Sequence, residues 1–226
     1  MIITIDGPAG SGKSTVADIL AEKLGFIHFN SGSLYRAVTA HLLKSNVDIK
    51  SMRPEDIVQP FKLKVKIIDN KLNVFVDGVN YTPVLRDNKV SEVVAFISQN
   101  MSCRTAIDAC QKQFCENNDV VIEGRDIGSH VFPNAEVKFF LDCSVRERAQ
   151  RRFIEEKQKG SSLSFEEILT QIQQRDKMDK TRAYAPLVIP KNAILIDSTN
   201  KGIGSVANSM LSHILAKKQL LEIQHG

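Results

Sequence analysis

The residues with the clearest chemical purpose form the stretch GPAGSGKS, residues 7–14. It matches the pattern G-x-x-x-x-G-K-[ST] and lies between a short apolar run, 2–5, and an amphipathic helical pattern. Glycines let the backbone curl so that consecutive N–H groups converge on phosphate oxygens, and the N-terminus of the next helix favours the same negative charge. In such a loop Lys13 reaches the β- and γ-phosphates and the Ser14 hydroxyl ligates Mg²⁺. The sequence therefore predicts a site for a nucleoside triphosphate and Mg²⁺. The residues predicted to bind the triphosphate are Gly7, Pro8, Ala9, Gly10, Ser11, Gly12, Lys13, Ser14 and Thr15.

Buried-strand patterns alternate with helical patterns along the rest of the chain. Continuous apolar runs, typical of strands covered on both faces, lie at 2–5, 119–124, 136–142 and 193–198. Helical patterns lie at about 33–44, 101–116, 145–158 and 164–180, and a last amphipathic stretch runs from Val206 to Leu215. This alternation predicts an α/β fold of the P-loop NTPase type, with a parallel sheet flanked by helices.

One segment departs from the alternation. Residues 61–78 alternate at period two on both sides of Asp69-Asn70-Lys71, which predicts a β-hairpin. The following stretch, 84–98, has a helical pattern. We therefore expect a small insertion at 61–98 within a single domain that spans 1–226.

Composition limits the class of protein. The chain has 226 residues, 42% of them hydrophobic and 25% charged, which suits one globular domain with a full core. Its net charge of +4 fits an anionic small ligand better than a nucleic-acid platform. The four cysteines show no CxxC spacing, which indicates reduced, buried thiols. Since the sequence shows neither a signal-peptide pattern nor an apolar run of membrane-spanning length, we expect a cytoplasmic protein that does not bind membrane. We also expect a monomer that does not bind nucleic acid, because no exposed apolar face stands out and the net charge is mild.

The use made of the triphosphate is a separate question. A GTPase would need NKxD to read guanine and a DxxG switch, and the sequence contains neither. A mechanical ATPase usually ends an apolar strand in adjacent acids, whereas the strands here end in Glu123-Gly124 and Asp142-Cys143. Arginines scattered over polar loops favour a small phosphotransferase, in which they clamp phosphates and neutralise charge on the transferring group.

Three further blocks carry a family resemblance: NSGSLYR at 30–36, EGRDIGSHVFP at 123–133 and RDKMDKTRAYAPL at 175–187. Together with the phosphate loop, and in this order, they resemble the bacterial-type cytidylate kinases, a branch of the nucleoside monophosphate kinases. The resemblance covers essentially the whole chain. It implies transfer of the ATP γ-phosphoryl group to the 5′-phosphate of CMP and dCMP, with Mg²⁺, an NMP-binding insertion at 61–98 and a helical lid at 150–182. Asn30 and Glu123 stand where the family usually has aspartate.

The resemblance also implies roles for individual residues. Arg36 and Arg125 would hold the acceptor phosphate, with Ser31 beside them. Ser98 and Arg104 would read the cytosine together with Arg182, and Arg175 and Asp179 would contact the pentose hydroxyls. Lys13, Arg125 and Asp126 would form the catalytic set, and Arg148, Arg151 and Arg152 would begin the lid.

Two of these sets of residues also have a simpler, purely structural interpretation. Arg125 and Asp126 could form an ion pair at a strand end, and ERAQRR, 147–152, could be a solvated helix face.

The spacing of Arg175, Asp179 and Arg182 is i, i+4 and i+7, which would place them in one sector of a helix that ends at Pro186. Lys177 and Lys180 would then project into water from the far side.

Two alternatives to the leading hypothesis remain open at this point. One is a P-loop kinase for another small acceptor, either UMP or a hydroxyl substrate with Asp126 as the base. The other is a non-catalytic, nucleotide-dependent regulator. A monophosphate acceptor attacks with an oxygen that is already anionic, so its kinase needs positioning and charge neutralisation rather than a general base. The many loop arginines favour that chemistry.

Overall fold

The computed structural model describes residues 1–45, 49, 53, 61–69 and 71–225. The chain divides into two compact units, one formed by Met1–His28 with Asp119–Gly226 and the other by Phe29–Asn118. The predicted insertion, 61–98, lies inside the second unit.

The first unit is built on a parallel sheet whose strands, in spatial order, are β2 (Ile27–Asn30), β6 (Val120–Gly124), β1 (Ile2–Asp6), β7 (Val137–Asp142) and β8 (Ile194–Asp197). The central strand β1 pairs in parallel with both β6 and β7, and β7 pairs in parallel with β8. Ile3 and Ile5 of β1 are fully buried, as a strand covered on both faces requires. The parallel sheet predicted from the sequence is confirmed.

Helices α1 (Lys13–Leu24) and α7 (Ile203–His225) pack their apolar residues into the main core with the sheet. Helices α5 (Val145–Gln158) and α6 (Phe165–Thr181) bury a smaller cluster around Ala149, Ile168 and Ile172. A capping box at Ser164 and Glu167 satisfies backbone N–H groups at the start of α6. No helix among the described residues is both long enough and apolar enough to span a bilayer.

The second unit contains, in its described part, three α-helices and a small antiparallel sheet. These elements are α2 (Ser31–Lys44), β3 (Leu63–Ile68), β4 (Lys71–Val76), β5 (Val79–Asn80), α3 (Asn88–Ile97) and α4 (Met101–Cys115). The predicted hairpin is confirmed, because β3 pairs antiparallel with β4 and Ile68 lies opposite Lys71; Asn70 of the predicted turn is outside the described residues. A short strand, β5, extends this sheet and was not predicted from the sequence.

The four cysteines are free thiols; Cys103, Cys115 and Cys143 are buried, as predicted, whereas Cys110 is only half-buried, contrary to the prediction. Burial raises the pKa of the Cys103 and Cys110 thiols to about 11 and that of Cys115 to about 12. Thiols of such high pKa carry little thiolate at neutral pH, so these cysteines behave as packing residues.

Candidate active site

The phosphate loop connects the end of β1 to the first residue of α1. At Gly7 a Cβ would lie 2.2 Å from the carbonyl oxygen of Leu141, so no side chain fits there. Gly10 and Gly12 have φ values of +78° and +91°, in the left-handed region that glycine adopts without strain. Three glycines of the motif are therefore required by the local backbone and by its close approach to β7.

Lys13 lies inside this loop and is only 4% exposed. Its ammonium group donates to the carbonyl oxygen of Pro8 at 2.5 Å and to the Ser11 hydroxyl at 3.3 Å. Burial lowers the pKa of Lys13 to about 7, and the positive charge of Arg125 adds to this effect. A buried cation with so low a pKa gains most from an anionic ligand. The loop therefore fits the phosphates of a nucleotide.

Ser14 and Glu123 provide oxygen atoms beside Lys13. The Ser14 hydroxyl donates to the Glu123 carboxylate, which lies at the end of β6 and is 4% exposed. Burial alone would raise the pKa of Glu123, but the neighbouring His28 and Lys13 outweigh it and the net pKa is lowered. Nε2 of His28 lies 3.7 Å from Glu123 Oε1, and its Nδ1 lies 3.3 Å from Asp18.

This donor set fits Mg²⁺. The ion prefers oxygen ligands and is commonly held by one or two carboxylates together with substrate phosphates and water. Within the described residues no group of three or more His, Cys, Asp or Glu side chains forms a metal cage. From the sequence, Ser14 was predicted as the ligand and Glu123 was noted only as a departure from the family pattern.

Asp6 fixes the turn that follows β6. Its buried carboxylate accepts hydrogen bonds from the backbone N–H groups of Ile127 at 2.8 Å and Gly128 at 2.7 Å. Burial, together with the nearby Asp126, raises the pKa of Asp6 to about 6 in spite of these hydrogen bonds. Asp6 thereby ties the end of β1 to the turn just after Asp126. Sequence reasoning missed it, because an acid at the end of a strand carries no local signal of its partner.

Ion pairs join α6, and Arg182 just after it, to the two residues that follow β6. Asp179, 3% exposed, accepts from Arg125 Nε at 3.0 Å and pairs with Arg175 at 3.2 Å. Burial alone would raise the pKa of Asp179, but Arg125 and Arg175 hold it below the ordinary value. Asp126 pairs with Arg182, with 2.9 Å between Oδ1 and Nη2. Arg125 and Asp126 thus each have a partner on or just after α6.

The predicted helix face is partly wrong. Arg175 and Asp179 share a face of α6, and Lys177 and Lys180 are exposed, as expected. However, α6 ends at Thr181, and Arg182 is already extended with φ −61° and ψ 140°. Its Nε donates to the carbonyl oxygen of Ala185 at 2.7 Å. The helix therefore ends before Pro186, and Arg182 reaches Asp126 from the following loop.

The interpretation of ERAQRR as a solvated face is also wrong for one residue. Arg148 is 2% exposed and binds Asp176 through both terminal nitrogens, at 2.7 and 3.1 Å. Arg151 donates to the carbonyl oxygen of Ser198 at 2.9 Å, whereas the side chain of Arg152 is 53% exposed beside Glu156. Of the three arginines in this stretch, Arg148 is buried, Arg151 is half-buried and Arg152 is exposed.

The second unit contains the other predicted acceptor residues. Arg36 donates through Nη1 to the carbonyl oxygen of Leu85 at 3.1 Å and to the Ser91 hydroxyl at 2.9 Å. Ser31, the first residue of α2, is 4% exposed.

Arg104 and Ser98 lie together in this unit. Arg104 is 1% exposed and donates to the carbonyl oxygen of Ser98 at 3.1 Å. Its guanidinium lies 5.6 Å from the ring centroid of Tyr35, within cation–π range. Tyr35 belongs to the NSGSLYR block, but its contact with Arg104 was not predicted.

Comparison with known proteins gives a consistent result. The family model for cytidylate kinase matches residues 3–216. The chain is 40% identical to a cytidylate kinase of Caldicellulosiruptor bescii over 210 residues, 92% of this chain and 93% of that protein. It is also 40% identical to a cytidylate kinase of Bacillus subtilis over 220 residues, 96% of this chain and 97% of that protein.

Among solved structures, an uncharacterised protein from Eubacterium ventriosum matches with a TM-score of 0.50 at 14% identity. The match covers 95% of this chain and 98% of the other. At this identity the match concerns the fold alone.

Proposed function

The chain belongs to the cytidylate kinase family and phosphorylates CMP; we propose that Mg·ATP is the donor and that dCMP is a second acceptor. The observation that supports this donor is Lys13, a buried cation with its pKa lowered to about 7, in a loop followed by Ser14 and Glu123. Mg²⁺ would neutralise charge on the phosphates and orient them when bound.

On the donor side, we assign the phosphates to the backbone of residues 7–15 and to the Lys13 ammonium group. Ser14 and Glu123 would hold Mg²⁺, since their oxygens already lie in contact. The N-terminus of α1 faces the same loop and adds its partial positive charge. These groups bind and neutralise, and none of them needs to transfer a proton.

On the acceptor side, we assign the phosphate to Arg36, Arg125 and Ser31. We assign the cytosine to Ser98, Arg104 and Arg182. The pentose hydroxyls would bind to Asp179 and Arg175, where the carboxylate is ionised because two arginines lower its pKa. An ionised carboxylate is a strong acceptor for a hydroxyl hydrogen.

The state of Asp126 supports a phosphate acceptor over a hydroxyl acceptor. A kinase for a hydroxyl substrate needs a carboxylate that can take the proton, and Asp126 is instead held by Arg182 at 2.9 Å. The 5′-phosphate of CMP attacks with an oxygen that is already anionic, so such a base is unnecessary. We assign Asp126 to orienting Arg182 beside Arg125. Both curated relatives described above are cytidylate kinases, which favours CMP over the alternative acceptors.

A substrate panel tests the proposal. Purified protein with Mg·ATP would be given CMP, dCMP, UMP, AMP, dTMP or shikimate, and ADP release would be followed. We expect rapid release with CMP and dCMP and little with the others. Rapid release with shikimate would transfer the proposal to a hydroxyl acceptor, and no release with any nucleotide would refute it. Size-exclusion chromatography would test the expected monomer.

A further inference from the structure

Several backbone carbonyls of the phosphate loop are held by side chains. The carbonyl of Ala9 accepts from Nη1 of Arg148 at 3.1 Å. The carbonyl of Pro8 accepts from Lys13 and from the Ser11 hydroxyl. Because the C=O and N–H of one planar trans peptide point in opposite directions, holding the carbonyl of residue 9 orients the N–H of residue 10. Anion binding by such a loop depends on where its N–H groups point.

Arg148 is well suited to hold this carbonyl because its own position is fixed. Its Nε donates to the carbonyl oxygen of Cys143 at 2.9 Å, and Asp176 of α6 accepts from both terminal nitrogens. The arginine and Asp176 are 2% and 7% exposed. The planar guanidinium thus spans three points of the protein, which a flexible ammonium group could not do.

Close packing reinforces the contact. A Cβ at Gly10 would lie 3.3 Å from the Cβ of Arg148, so the loop backbone and α5 approach each other closely at this position. The side chain of Arg148 therefore runs past Gly10 to the carbonyl of Ala9. A change in the position of Arg148 would be transmitted to this peptide.

We infer that Arg148 and its partner Asp176 are positioning residues that set the shape of the phosphate loop and hence its affinity for the donor's phosphates. This inference rests on the proposed donor site at residues 7–15. Arg148 acts through the Ala9 peptide, and Asp176 acts through Arg148. Since Asp176 and Asp179 both lie on α6, the same helix supports the donor loop at one position and the β6 edge, through Arg125, three residues later.

The test compares how two substitutions change KM for ATP and KM for CMP. In Arg148→Lys the charge remains but the two-point bond to Asp176 and the bond to Ala9 cannot both form, so KM for ATP should rise about tenfold. Asp176→Asn keeps shape and removes the charge, and it should raise KM for ATP about threefold. KM for CMP should stay within about twofold in both variants. Affinity for Mg·ADP, measured by calorimetry, should fall in parallel with the rise in KM for ATP.

Arg146→Lys is the matched control. Arg146 lies two residues earlier on α5, is exposed, and stacks over Phe165 at 5.7 Å. The Arg146→Lys substitution should leave KM for ATP, KM for CMP and the affinity for Mg·ADP unchanged. A purely structural ion pair would lower the melting temperature of the two test variants without the split.

The measurements distinguish a positioning role of Arg148 and Asp176 from a purely structural ion pair. Unchanged KM for ATP and Mg·ADP affinity in folded variants would overturn the inference, as would equal rises in both Michaelis constants. If Arg148→Lys does not fold, Asp176→Asn decides alone, and failure of both to fold would make the pair a folding element and overturn it. If the wild-type protein does not phosphorylate CMP, the proposed function fails, while the Mg·ADP measurement still tests the role of Arg148.

Discussion

The phosphate loop and α6 both carry residues that we assign to the proposed reaction, but they are built in different ways. The loop is formed by consecutive residues, 7–14, whose glycines and lysine act through local backbone geometry. The charged residues of α6 depend on partners far away in the sequence: Asp176 on Arg148, 28 positions earlier, and Asp179 on Arg125, 54 positions earlier.

This difference has an energetic consequence. The loop leaves Lys13 as a buried cation whose full compensation comes only with a ligand, so the apo protein bears a cost there. The α6 carboxylates are already compensated by arginines within the protein. Mutations in the loop should therefore affect catalysis more than folding, and mutations on α6 should affect both.

The largest expected effect tests the loop. Lys13→Met removes the cation that would bind the β- and γ-phosphates, and kcat with CMP should fall about 10²- to 10³-fold. The free energy of unfolding at pH 7 should not decrease, because the charged form of Lys13 is disfavoured by burial. Steady-state kinetics and urea denaturation measure the two effects. Near-normal kcat would remove Lys13 from the phosphate site.

Asp179→Ala should have the next largest effect and should change both properties. It leaves Arg125 and Arg175 without their shared carboxylate, so the free energy of unfolding should fall by about 3 kcal/mol. KM for CMP should rise because sugar recognition is lost, while the affinity for ATP should stay nearly intact. Denaturation and kinetics with CMP and ATP varied separately provide the measurements. Unchanged CMP kinetics would exclude Asp179 from the acceptor site.

The pH dependence of stability should have opposite signs at two buried carboxylates. The pKa of Asp6 is raised to about 6, so the folded protein takes up a proton there before the unfolded chain does. As the pH falls from 7.5 to 4.5, wild type should therefore gain stability relative to Asp6→Asn, by on the order of 2 kcal/mol. The pKa of Asp179 is lowered, so its contribution is lost only as the pH falls below the ordinary aspartate range. A constant difference between wild type and Asp6→Asn across this range would contradict the assignment.

The smallest effect is expected on the exposed side of α6. Lys177 lies in the same charged stretch as Asp176 and Asp179 but faces water. Lys177→Gln should change the free energy of unfolding by less than about 0.5 kcal/mol and leave both Michaelis constants unchanged. A clear rise in KM for CMP would mean that the functional face of α6 is broader than its ion pairs indicate.

Local pattern was enough to predict the loop, the parallel sheet, the hairpin of β3 and β4 and most helix positions. These features depend on residues that are close in sequence and repeat at period two or 3.6. The helical pattern predicted at 164–180 agrees with α6, but the placement of Arg182 on a helix that continues to Pro186 was wrong, because Arg182 is extended and pairs with Asp126 from the following loop.

The interpretation of Arg148 as part of a solvated helix face was wrong for a related reason. An arginine in a charged helix is usually exposed, and its burial here is possible only because Asp176 and two backbone carbonyls satisfy its donors. None of these partners can be recognised from spacing in the sequence. The roles of Glu123 and Asp6 were missed for the same reason. Glu123 depends on its contacts with His28 and Ser14. Asp6 depends on the backbone N–H groups of Ile127 and Gly128.

The most direct test of the account follows the transferred group itself. The protein would be given CMP and ATP labelled in the γ-phosphoryl group, with Mg²⁺, and the products would be separated and their phosphates identified. We predict that the label appears in the β-phosphate of CDP, in amounts equal to the ADP formed. Label recovered as inorganic phosphate, or attached to a hydroxyl group of the acceptor, would contradict phosphoryl transfer to the CMP phosphate.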